Sequence, residues 1–171
     1  IPSSLGDISS LTGLHLNLNQ LTGEILSSFG DLLSLEYLSL NSNQLSGPIP
    51  TSLGRLSSLK GLYLNDNLLT GVIPATFGDL SSLTTLQLDH NQLAGEIPAS
   101  FGNLFSLLYL HLSENQLNGE IPSALGDLPS LTNLRLHTNA LVGPVPILPV
   151  SLADCNVTVN ADLCAQESNL C

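Results

Sequence analysis

A 24-residue period constrains the fold of this chain more than any other feature. A leucine recurs at Leu11, Leu35, Leu59, Leu83, Leu107 and Leu131, and an asparagine runs in step at Asn19, Asn43, Asn67, Asn91, Asn115 and Asn139. Each unit reads LxxLxLxxNxLxGxIPxxLGxLxx, as in LEYLSLNSNQLSGPIPTSLGRLSS from residue 35 to residue 58. Six units without an insertion predict a solenoid, in which each repeat packs against its neighbours.

The first half of the repeat predicts a short strand. Apolar residues at positions 4 and 6 alternate with polar residues at positions 3, 5 and 7, which is the period of a strand with one buried face. Stacked repeats therefore predict a parallel sheet. The asparagine at position 9 is expected to bond backbone groups of neighbouring repeats, because a buried amide needs partners.

The second half of the repeat predicts a turn and a return. Gly at position 13 permits a backbone conformation that side chains disfavour, and the proline that follows in most units cannot lie in a central strand of the main sheet. A short helical or 3₁₀ turn through xxLGxL is then expected to close each unit on the opposite face.

The period divides the chain into three parts. Residues 1–10 are the second half of a truncated repeat, residues 11–146 hold six repeats, and residues 147–171 are a Cys-containing C-terminal cap. An open first repeat would expose apolar side chains, so we expect an upstream segment or another molecule to cover that end. The sequence has no apolar run long enough for a membrane helix and nothing like a signal peptide at Ile1, which favours a mature or trimmed fragment.

The cap carries all three cysteines and a glycosylation sequon. Cys155 and Cys164 are the nearest pair for a disulfide, which predicts an oxidising compartment, although free structural thiols are the alternative. The partner of Cys171 stays open: it is missing, intermolecular or beyond this chain. The sequon NVT predicts N-glycosylation at Asn156. Together these features predict a secreted or cell-surface protein.

The GxIPxxLGxLxx half of the repeat resembles the plant-type leucine-rich repeats of receptor-kinase ectodomains, receptor-like proteins and polygalacturonase-inhibiting proteins. The resemblance covers residues 1–146. It implies a right-handed curved superhelix with a parallel β-sheet on the concave face and short 3₁₀ or irregular segments on the convex face. It also implies no cofactor and no catalysis. The paired-cysteine N-terminal cap usual in that family does not appear in this sequence.

Positions 3, 5, 7 and 8 are predicted to face solvent on the concave sheet, and they hold every tyrosine and histidine of the chain. Aromatic side chains on one surface are typical of an interface, although strand propensity alone also tolerates tyrosine. Phe29, Phe77 and Phe101 replace leucine at position 19 and are predicted to be core. The predicted partner-binding residues are Tyr37, Tyr63, Tyr109, His90, His111, Arg135 and His137.

Arg135 and His137 resemble a known pair. In receptor kinases that bind peptide hormones, an Arg-x-Arg pair at the equivalent positions of a late repeat holds the terminal carboxylate of the peptide. This chain has histidine in the second place. Because histidine is mostly neutral at pH 7, the resemblance implies a weaker grip that strengthens on acidification. A generic polar contact is the alternative.

Charge excludes two classes of partner. The chain has 3 Lys and Arg against 14 Asp and Glu, a formal charge of −11, which argues against nucleic acid and anionic membranes. The acidic residues at positions 14 and 21 are predicted to solvate the flank and convex surfaces; they are Glu24, Glu96, Glu120, Asp31, Asp79 and Asp127. Asp66, Asp89 and Glu114 lie near His90 and His111, but no metal-binding or catalytic motif accompanies them, so no metal and no enzyme is predicted.

We therefore expect a non-catalytic extracellular recognition module that binds a protein, peptide or glycan partner on its concave face, without a cofactor. The alternative is a structural or adhesive extracellular or cell-wall element that assembles end to end with another domain or subunit through its uncapped N-terminal end. A surface that binds carbohydrate or ice through rows of Ser, Thr and Asn is a third possibility, and the irregular concave columns argue against ice.

Overall fold

A computed structural model describes residues 1–158 and 160–164 of the 171-residue chain, with the backbone alone for residues 161–164. Two seven-stranded parallel sheets and a column of 3₁₀ turns run side by side through this part of the chain. Repeats are numbered from Leu11, so that repeat 3 begins at Leu59 and repeat 4 at Leu83. The repeat period therefore folds as a solenoid, as predicted.

The main sheet is built from positions 3 to 5 of each repeat. Its strands, in spatial order, are β1 Gly13–His15, β3 Tyr37–Ser39, β5 Gly61–Tyr63, β7 Thr85–Gln87, β9 Tyr109–His111, β11 Asn133–Arg135 and β13 Asp154–Asn156. Each residue pairs with the same position one repeat on, for example Leu38 with Leu62. This sheet and the 24-residue register confirm the strand prediction. The solvent side of the main sheet is called the concave face.

The second sheet, which the sequence pattern did not predict, passes through the GxIP half of the repeat. Its strands are β2 Thr22–Gly23, β4 Gln44–Pro48, β6 Leu68–Val72, β8 Gln92–Glu96, β10 Gln116–Glu120, β12 Asn139–Pro144 and β14 Asn160–Cys164. Neighbouring strands slip by two positions, so that Gly47 pairs with Leu69 and not with Gly71. Gly47 itself has a positive φ of 77°, which breaks the alternation by which a strand is recognised.

Six 3₁₀ turns close the repeats on the opposite side. They are η1 Ser3–Asp7, η2 Ser27–Asp31, η3 Thr51–Arg55, η4 Ala75–Asp79, η5 Ala99–Asn103 and η6 Ser123–Asp127. The turns stack closely, because a Cβ at Gly78 would lie 2.5 Å from the carbonyl oxygen of Ser100 in the next turn. Glycine at position 20 thus sets the spacing of the convex side, where the sequence predicted these turns.

The core is a continuous stack of leucines and isoleucines between the two sheets and the turns. Phe29, Phe77 and Phe101 are fully buried in it, which confirms their prediction as core residues. At about 25 cal/mol per Å² of buried apolar surface, this stack is the main stabilising term of the domain. No helix in residues 1–158 and 160–164 is long and apolar enough to cross a membrane.

The asparagines at position 9 form the predicted ladder. Asn67 accepts a hydrogen bond from Leu45 N (3.0 Å) and donates to Leu40 O and Leu64 O (3.1 Å each). Asn160 continues the ladder into the cap, where it accepts from Leu141 N at 3.1 Å. Strands β13 and β14 thus add a seventh rung to both sheets, although Asn160 comes three residues earlier than the period would place it.

Position 8 has a left-handed backbone in every repeat. Its six non-glycine residues have φ between 53° and 56°; they are Leu18, Ser42, Asp66, His90, Glu114 and Thr138. This conformation costs a residue with a Cβ about 1 kcal/mol or more, and a β-branched residue such as Thr138 adopts it least readily. The chain turns here from the main sheet toward the asparagine ladder.

Candidate functional site: the concave face

The N-terminal half of the concave face carries a pair of tyrosines over a glycine. A Cβ at Gly61 would lie 2.7 Å from Tyr63 Cε2 and 3.0 Å from Tyr37 Cδ1. The two rings therefore converge from neighbouring strands over a position without a side chain. Tyr37 is 40% exposed and Tyr63 is half-buried by this packing. The result is an aromatic shelf, defined as Tyr37, Gly61 and Tyr63.

A second aromatic group lies two strands further on. The rings of Tyr109 and His111 meet edge to face with centroids 6.4 Å apart. His111 Nε2 is 2.8 Å from Asn133 Oδ1, and Asn133 Nδ2 donates to Asp154 at 2.6 Å. Burial lowers the pKa of His111 below its usual value, so the ring is mostly neutral at pH 7. The group is therefore a rigid, uncharged contact surface with Tyr109 43% exposed.

Arg135 lies at the C-terminal edge of the face and has an internal partner. Its guanidinium is 3.4 Å from Asp154 Oδ2, the oxygen to which Asn133 also donates. A carboxylate of the cap strand thus already pairs with the arginine that the resemblance to Arg-x-Arg motifs assigns to a ligand carboxylate. His137 is half-buried, and its Nδ1 atom is shielded from solvent without a hydrogen-bond partner in the described residues.

The concave columns are less exposed than the alternation predicts. Ser39 at position 5 and Ser113 at position 7 are 8% and 3% exposed, so these two serines do not face solvent as expected. Position 7 lies two residues beyond the strand end, and its residues are half-buried or buried. The exposed residues of this face are Tyr37 and Tyr109 at position 3, His15 and Arg135 at position 5, and every position 8 residue except Ser42.

Three side chains of the position 7 column have shielded polar atoms without partners among the described residues: Asn65 Oδ1, Asp89 Oδ1 and His137 Nδ1. Burial raises the pKa of Asp89 above its usual value, and nearby Asp66 adds to the rise, while His111 and His90 oppose it. His90 itself is 2.9 Å from Glu114, a carboxylate of the next repeat. The middle of the face is thus acidic and rich in acceptors.

The basic residues of the chain all have acidic partners. Arg55 is 2.5 Å from Asp31 and Lys60 is 2.8 Å from Glu36, which completes the three with Arg135. Hydrogen bonding to Glu36 raises the pKa of Lys60. Asp31, one of the acidic residues predicted to solvate the flank and convex surfaces, therefore also forms an ion pair. No group of three or more His, Cys, Asp or Glu in the described residues is placed to hold a metal ion.

The cap residues of the predicted disulfide and sequon lie beside this face. Asn156 belongs to β13, and its Oδ1 accepts from Thr158 N (3.1 Å) and Thr158 Oγ1 (2.7 Å). Cys155 is half-buried in the same strand. The side chain of Cys164 and the whole of Cys171 lie outside the described residues, so the Cys155 to Cys164 pairing stays a prediction.

A cleft of about 990 Å³ opens away from the concave face, where the column of 3₁₀ turns ends. It lies between η6 and the segment after β12, and Pro122, Pro146 and Ile147 are among its lining residues. The cleft exists because ILPVSLADC replaces the turn sequence of the earlier repeats. No predicted contact residue lines it.

Comparison with known proteins decides the family. Sequence models of the leucine-rich repeat match residues 49–93, and again residues 10–32, 34–56 and 106–128. Among solved structures, Pollen Receptor Kinase 3 is 35% identical with a TM-score of 0.83, and the match covers 93% of this chain and 78% of that one. The chain belongs to the leucine-rich repeat family. None of the curated protein sequences matches it significantly.

Two further structures are larger receptors. The TDR receptor is 36% identical with a TM-score of 0.91 over 96% of this chain. The ectodomain of the Arabidopsis receptor kinase HAESA, solved with an N-terminally extended IDA peptide hormone, is 36% identical with a TM-score of 0.89 over 100% of this chain. This leucine-rich repeat chain spans only 29% of the length of each. The matched structures are receptor domains, and the fold that this chain shares with them is that of a non-catalytic family.

Two features of the concave face were not predicted from the sequence. Gly61 stands at position 3, where the preceding repeat has Tyr37, and Tyr63 follows it by two residues. A glycine next to two tyrosines in this way is the sequence signal that could have indicated the packing of the two rings. Asp154 lies in the cap, off the 24-residue period, so no alignment of repeats places it beside Arg135. The predicted contact residues are brought together in two groups, around Tyr63 and around His111, with His90 between them in sequence.

Proposed function

We propose that this domain is a non-catalytic extracellular recognition module that binds a peptide or protein segment on its concave face. The aromatic shelf carries the proposal, because two tyrosines packed over Gly61 present amphipathic contact area, and this packing lowers the cost of ordering them on binding. The similar HAESA ectodomain was solved with a peptide hormone, which supports a peptide as the class of ligand.

The shape of the face supports an extended ligand. The seven strands of the main sheet, about 4.8 Å apart, give a surface roughly 30 Å long. The two aromatic groups are separated by the strand of repeat 4, which carries Thr85 and Gln87. An extended segment crossing the strands would contact the shelf, then this polar stretch, then Tyr109.

The experiment is selection from a displayed random dodecapeptide library, followed by binding measurements on variants. Replacing Tyr37, Tyr63 and Tyr109 together by alanine should weaken selected peptides at least tenfold, since exposed aromatic anchors carry about 1 to 3 kcal/mol each. A matched control replaces Leu33, Val72 and Phe105, which are 58%, 62% and 60% exposed on other surfaces.

Equal loss in the two triple variants would contradict the proposal, as would binding unaffected by the tyrosine changes. Thermal unfolding of both variants checks that the fold is kept, because each set removes partly exposed side chains only.

Secretion and glycosylation belong to the same proposal. Asn156 is half-buried in the edge strand β13, and its Oδ1 is engaged by Thr158, while no bond of its Nδ2 atom is found among the described residues. Expression in a glycosylating host should add a glycan that a glycosidase removes, seen as a mass shift. If the Asn156→Gln variant shows the same glycosidase-dependent mass shift as the wild type, modification at Asn156 is contradicted.

A further inference from the structure

We propose that the second sheet carries a docking surface for an extended protein segment in which aromatic and aliphatic side chains stand between two basic ones. The surface is the lateral patch, defined as Pro48, Leu68, Thr70, Val72 and Ala94 on the solvent side of β4, β6 and β8. It lies on a different sheet from the aromatic shelf, so the inference does not rest on the proposed function. It is supported by a departure from the repeat pattern, by the strand register and by the carboxylates on its two sides.

Strand β6 carries apolar side chains where most other repeats carry polar ones. Position 10 is glutamine in four of the six repeats and position 14 is glutamate in three, whereas repeat 3 has Leu68 and Val72. These two side chains are 49% and 62% exposed. Four of the five residues of β6 are exposed, against two in β4 and two in β8. Because neither side chain belongs to the core, folding does not explain the departure, and exposed apolar side chains grouped on one strand are typical of a contact surface.

The register joins the five side chains into one patch. Pro48 pairs with Thr70 across β4 and β6, and Val72 pairs with Ala94 across β6 and β8. Paired residues of adjacent strands stand side by side, about 4.8 Å apart. Leu68, Thr70 and Val72 are all exposed, so they form one row on the solvent side of β6. Pro48 lies beside the middle of this row and Ala94 beside its end.

Gly71 leaves the backbone of the patch open. A Cβ at Gly47, one repeat earlier, would lie 2.8 Å from Cγ of Glu24, so the stem of that glutamate covers the glycine. The corresponding neighbour of Gly71 is Pro48, whose Cβ would be 3.6 Å away. Gly71 is exposed, whereas Gly47 is half-buried. The short proline ring covers less of the next strand than a glutamate stem does, which leaves room for a flat side chain beside Val72.

A carboxylate borders the patch on each side. The stem of Glu24 lies against Gly47, the residue before Pro48, and Glu96 follows Ala94 by two residues in β8. Both glutamates are exposed, and neither is in an ion pair in the described part of the chain, where the four ion pairs use other carboxylates. Basic side chains on both sides of apolar ones would complement this arrangement, and such complementarity selects among partners and speeds association.

The register also sets the length of the segment. Paired residues of neighbouring strands differ by 22 in sequence, as Thr70 and Gln92 do, so Glu96 lies three strands over from Glu24 and six residues further along. Three strand spacings of about 4.8 Å and six residues of about 3.3 Å place the two glutamates about 25 Å apart. Seven extended residues span about 20 Å between their first and last Cα atoms, and two lysine side chains cover the remainder. The fitting pattern is basic, x, aromatic, x, aliphatic, x, basic, because alternate residues of an extended segment point to the same side.

A second copy of this chain does not offer such a segment. The chain has three basic residues, and the two that lie close in sequence, Arg55 and Lys60, enclose leucines that are buried. Both are also paired, with Asp31 and Glu36. The occupant is therefore a different protein with free basic residues.

The test is an NMR titration of the isotope-labelled chain with the heptapeptide acetyl-Lys-Ser-Trp-Ser-Leu-Ser-Lys-amide. One control peptide replaces both lysines by glutamine, and another replaces tryptophan and leucine by glycine. The heptapeptide should give saturable shifts at the backbone amides of β4, β6 and β8. Each control peptide should bind about fivefold more weakly or worse, because it lacks either the charges or the apolar anchors.

The main variant gives repeat 3 the side chains of repeat 4. Leu68→Gln with Val72→Glu introduces the residues that stand at Gln92 and Glu96, so the fold is kept. This double variant should weaken the heptapeptide about tenfold although it adds a negative charge, because the apolar contact is lost.

Two controls separate the apolar contact from charge. Leu33→Ser with Phe105→Ser removes two exposed apolar side chains from position 23, where serine stands in other repeats, and should leave the affinity within about twofold. Glu96→Gln should weaken the heptapeptide about two- to threefold, and Asp79→Asn, which removes a charge from η4, should not. Equal weakening by Glu96→Gln and Asp79→Asn, or tighter binding by the double variant, would overturn the proposal in favour of attraction to the overall charge.

The remaining outcomes also decide. Absence of a saturable shift would overturn the lateral patch. A wild-type dimer in sedimentation that the double variant abolishes would assign the patch to a second copy and overturn the proposal. An NMR contact of Leu170 with Val72 in the free chain would do the same, because it would assign the patch to residues 165–171 of this chain, which lie outside the described residues.

Failure of the patch is distinguishable from failure of the concave face. The alanine variant of Tyr37, Tyr63 and Tyr109 should bind the heptapeptide like the wild type, and loss of binding there would move the probe to the concave face and overturn the patch. In the peptide selection, a peptide that is weakened by the control variant that includes Val72 and not by the tyrosine variant would support the lateral patch.

Discussion

The asparagine ladder allows the cost of one side chain to be worked out from its bonds. Asn67 is buried at 7% exposure and bridges two repeats: it accepts from Leu45 N and donates to Leu40 O and Leu64 O. The change Asn67→Ala removes these three bonds and a longer fourth one to Asn65 O (3.2 Å), whose loss adds little because Asn65 O keeps its bond from Ser42 N (3.0 Å). Leu45 N is then a buried donor without an acceptor, which costs about 2 kcal/mol.

The two carbonyl groups lose less. Leu40 O also accepts from Asn43 and Leu64 O also accepts from Asn91, each at 3.0 Å, so each oxygen keeps one partner. We assign about 0.5 kcal/mol to each weakened acceptor. The total is about 3 kcal/mol. For a chain of this length a urea m value of about 2 kcal/mol/M converts this loss to a midpoint lower by about 1.5 M.

Asn19 is the matched control. It is exposed and donates only to Leu16 O (3.1 Å) and Asn17 O (2.9 Å), both in its own repeat. The change Asn19→Ala should therefore cost less than about 1 kcal/mol. The assay is urea unfolding followed by far-UV circular dichroism. If the two variants differ by less than about 0.5 kcal/mol, the bond count between repeats does not determine stability and the reasoning is refuted.

Three further predictions follow from the backbone and from one carboxyl group. The change Thr138→Gly should raise the free energy of unfolding by about 1 kcal/mol, because it removes a β-branched side chain from a backbone with φ of 56°. The change Ser42→Gly should raise the free energy of unfolding by less. An unchanged melting temperature would contradict backbone strain at this position. Gly78→Ala should lower the free energy of unfolding by more than about 2 kcal/mol, because its Cβ meets the backbone of Ser100, and an unchanged urea midpoint would disprove the close approach. Because the folded pKa of Asp89 is raised, its contribution to stability is present below the unfolded pKa and is lost as pH rises through the folded pKa. The change Asp89→Asn should remove this loss of stability, which urea unfolding from pH 3 to pH 7 would measure. Identical pH profiles of the variant and the wild type would contradict the raised pKa.

The parts of the fold that follow from side-chain spacing could be predicted from the sequence. The strand of Tyr37–Ser39, the ladder of Asn67 and the burial of Phe101 each follow from an alternation or a repeat position. The second sheet could not be predicted, because it is held by backbone pairs that slip two positions per repeat and contains a glycine with positive φ. Side-chain periodicity carries no record of such pairing.

The candidate face was predictable at the level of positions and not at the level of contacts. The period placed Tyr63 on the concave side, but its fold over Gly61 depends on a neighbour that lacks a side chain. The partial burial of Asp89 was equally hidden, because position 7 lies beyond the end of the strand, where alternation no longer predicts exposure.

The C-terminal edge shows how the cap alters the face that the repeats build. Asp154 pairs in β13 with Asn133 of β11, and its carboxylate contacts both Asn133 and Arg135. Both members of the ion pair are about half exposed, at 47% and 53%, so the pair is worth less than about 1 kcal/mol and a ligand carboxylate could displace it at small cost. An anionic group of a ligand would therefore reach Arg135 only by exchange with Asp154.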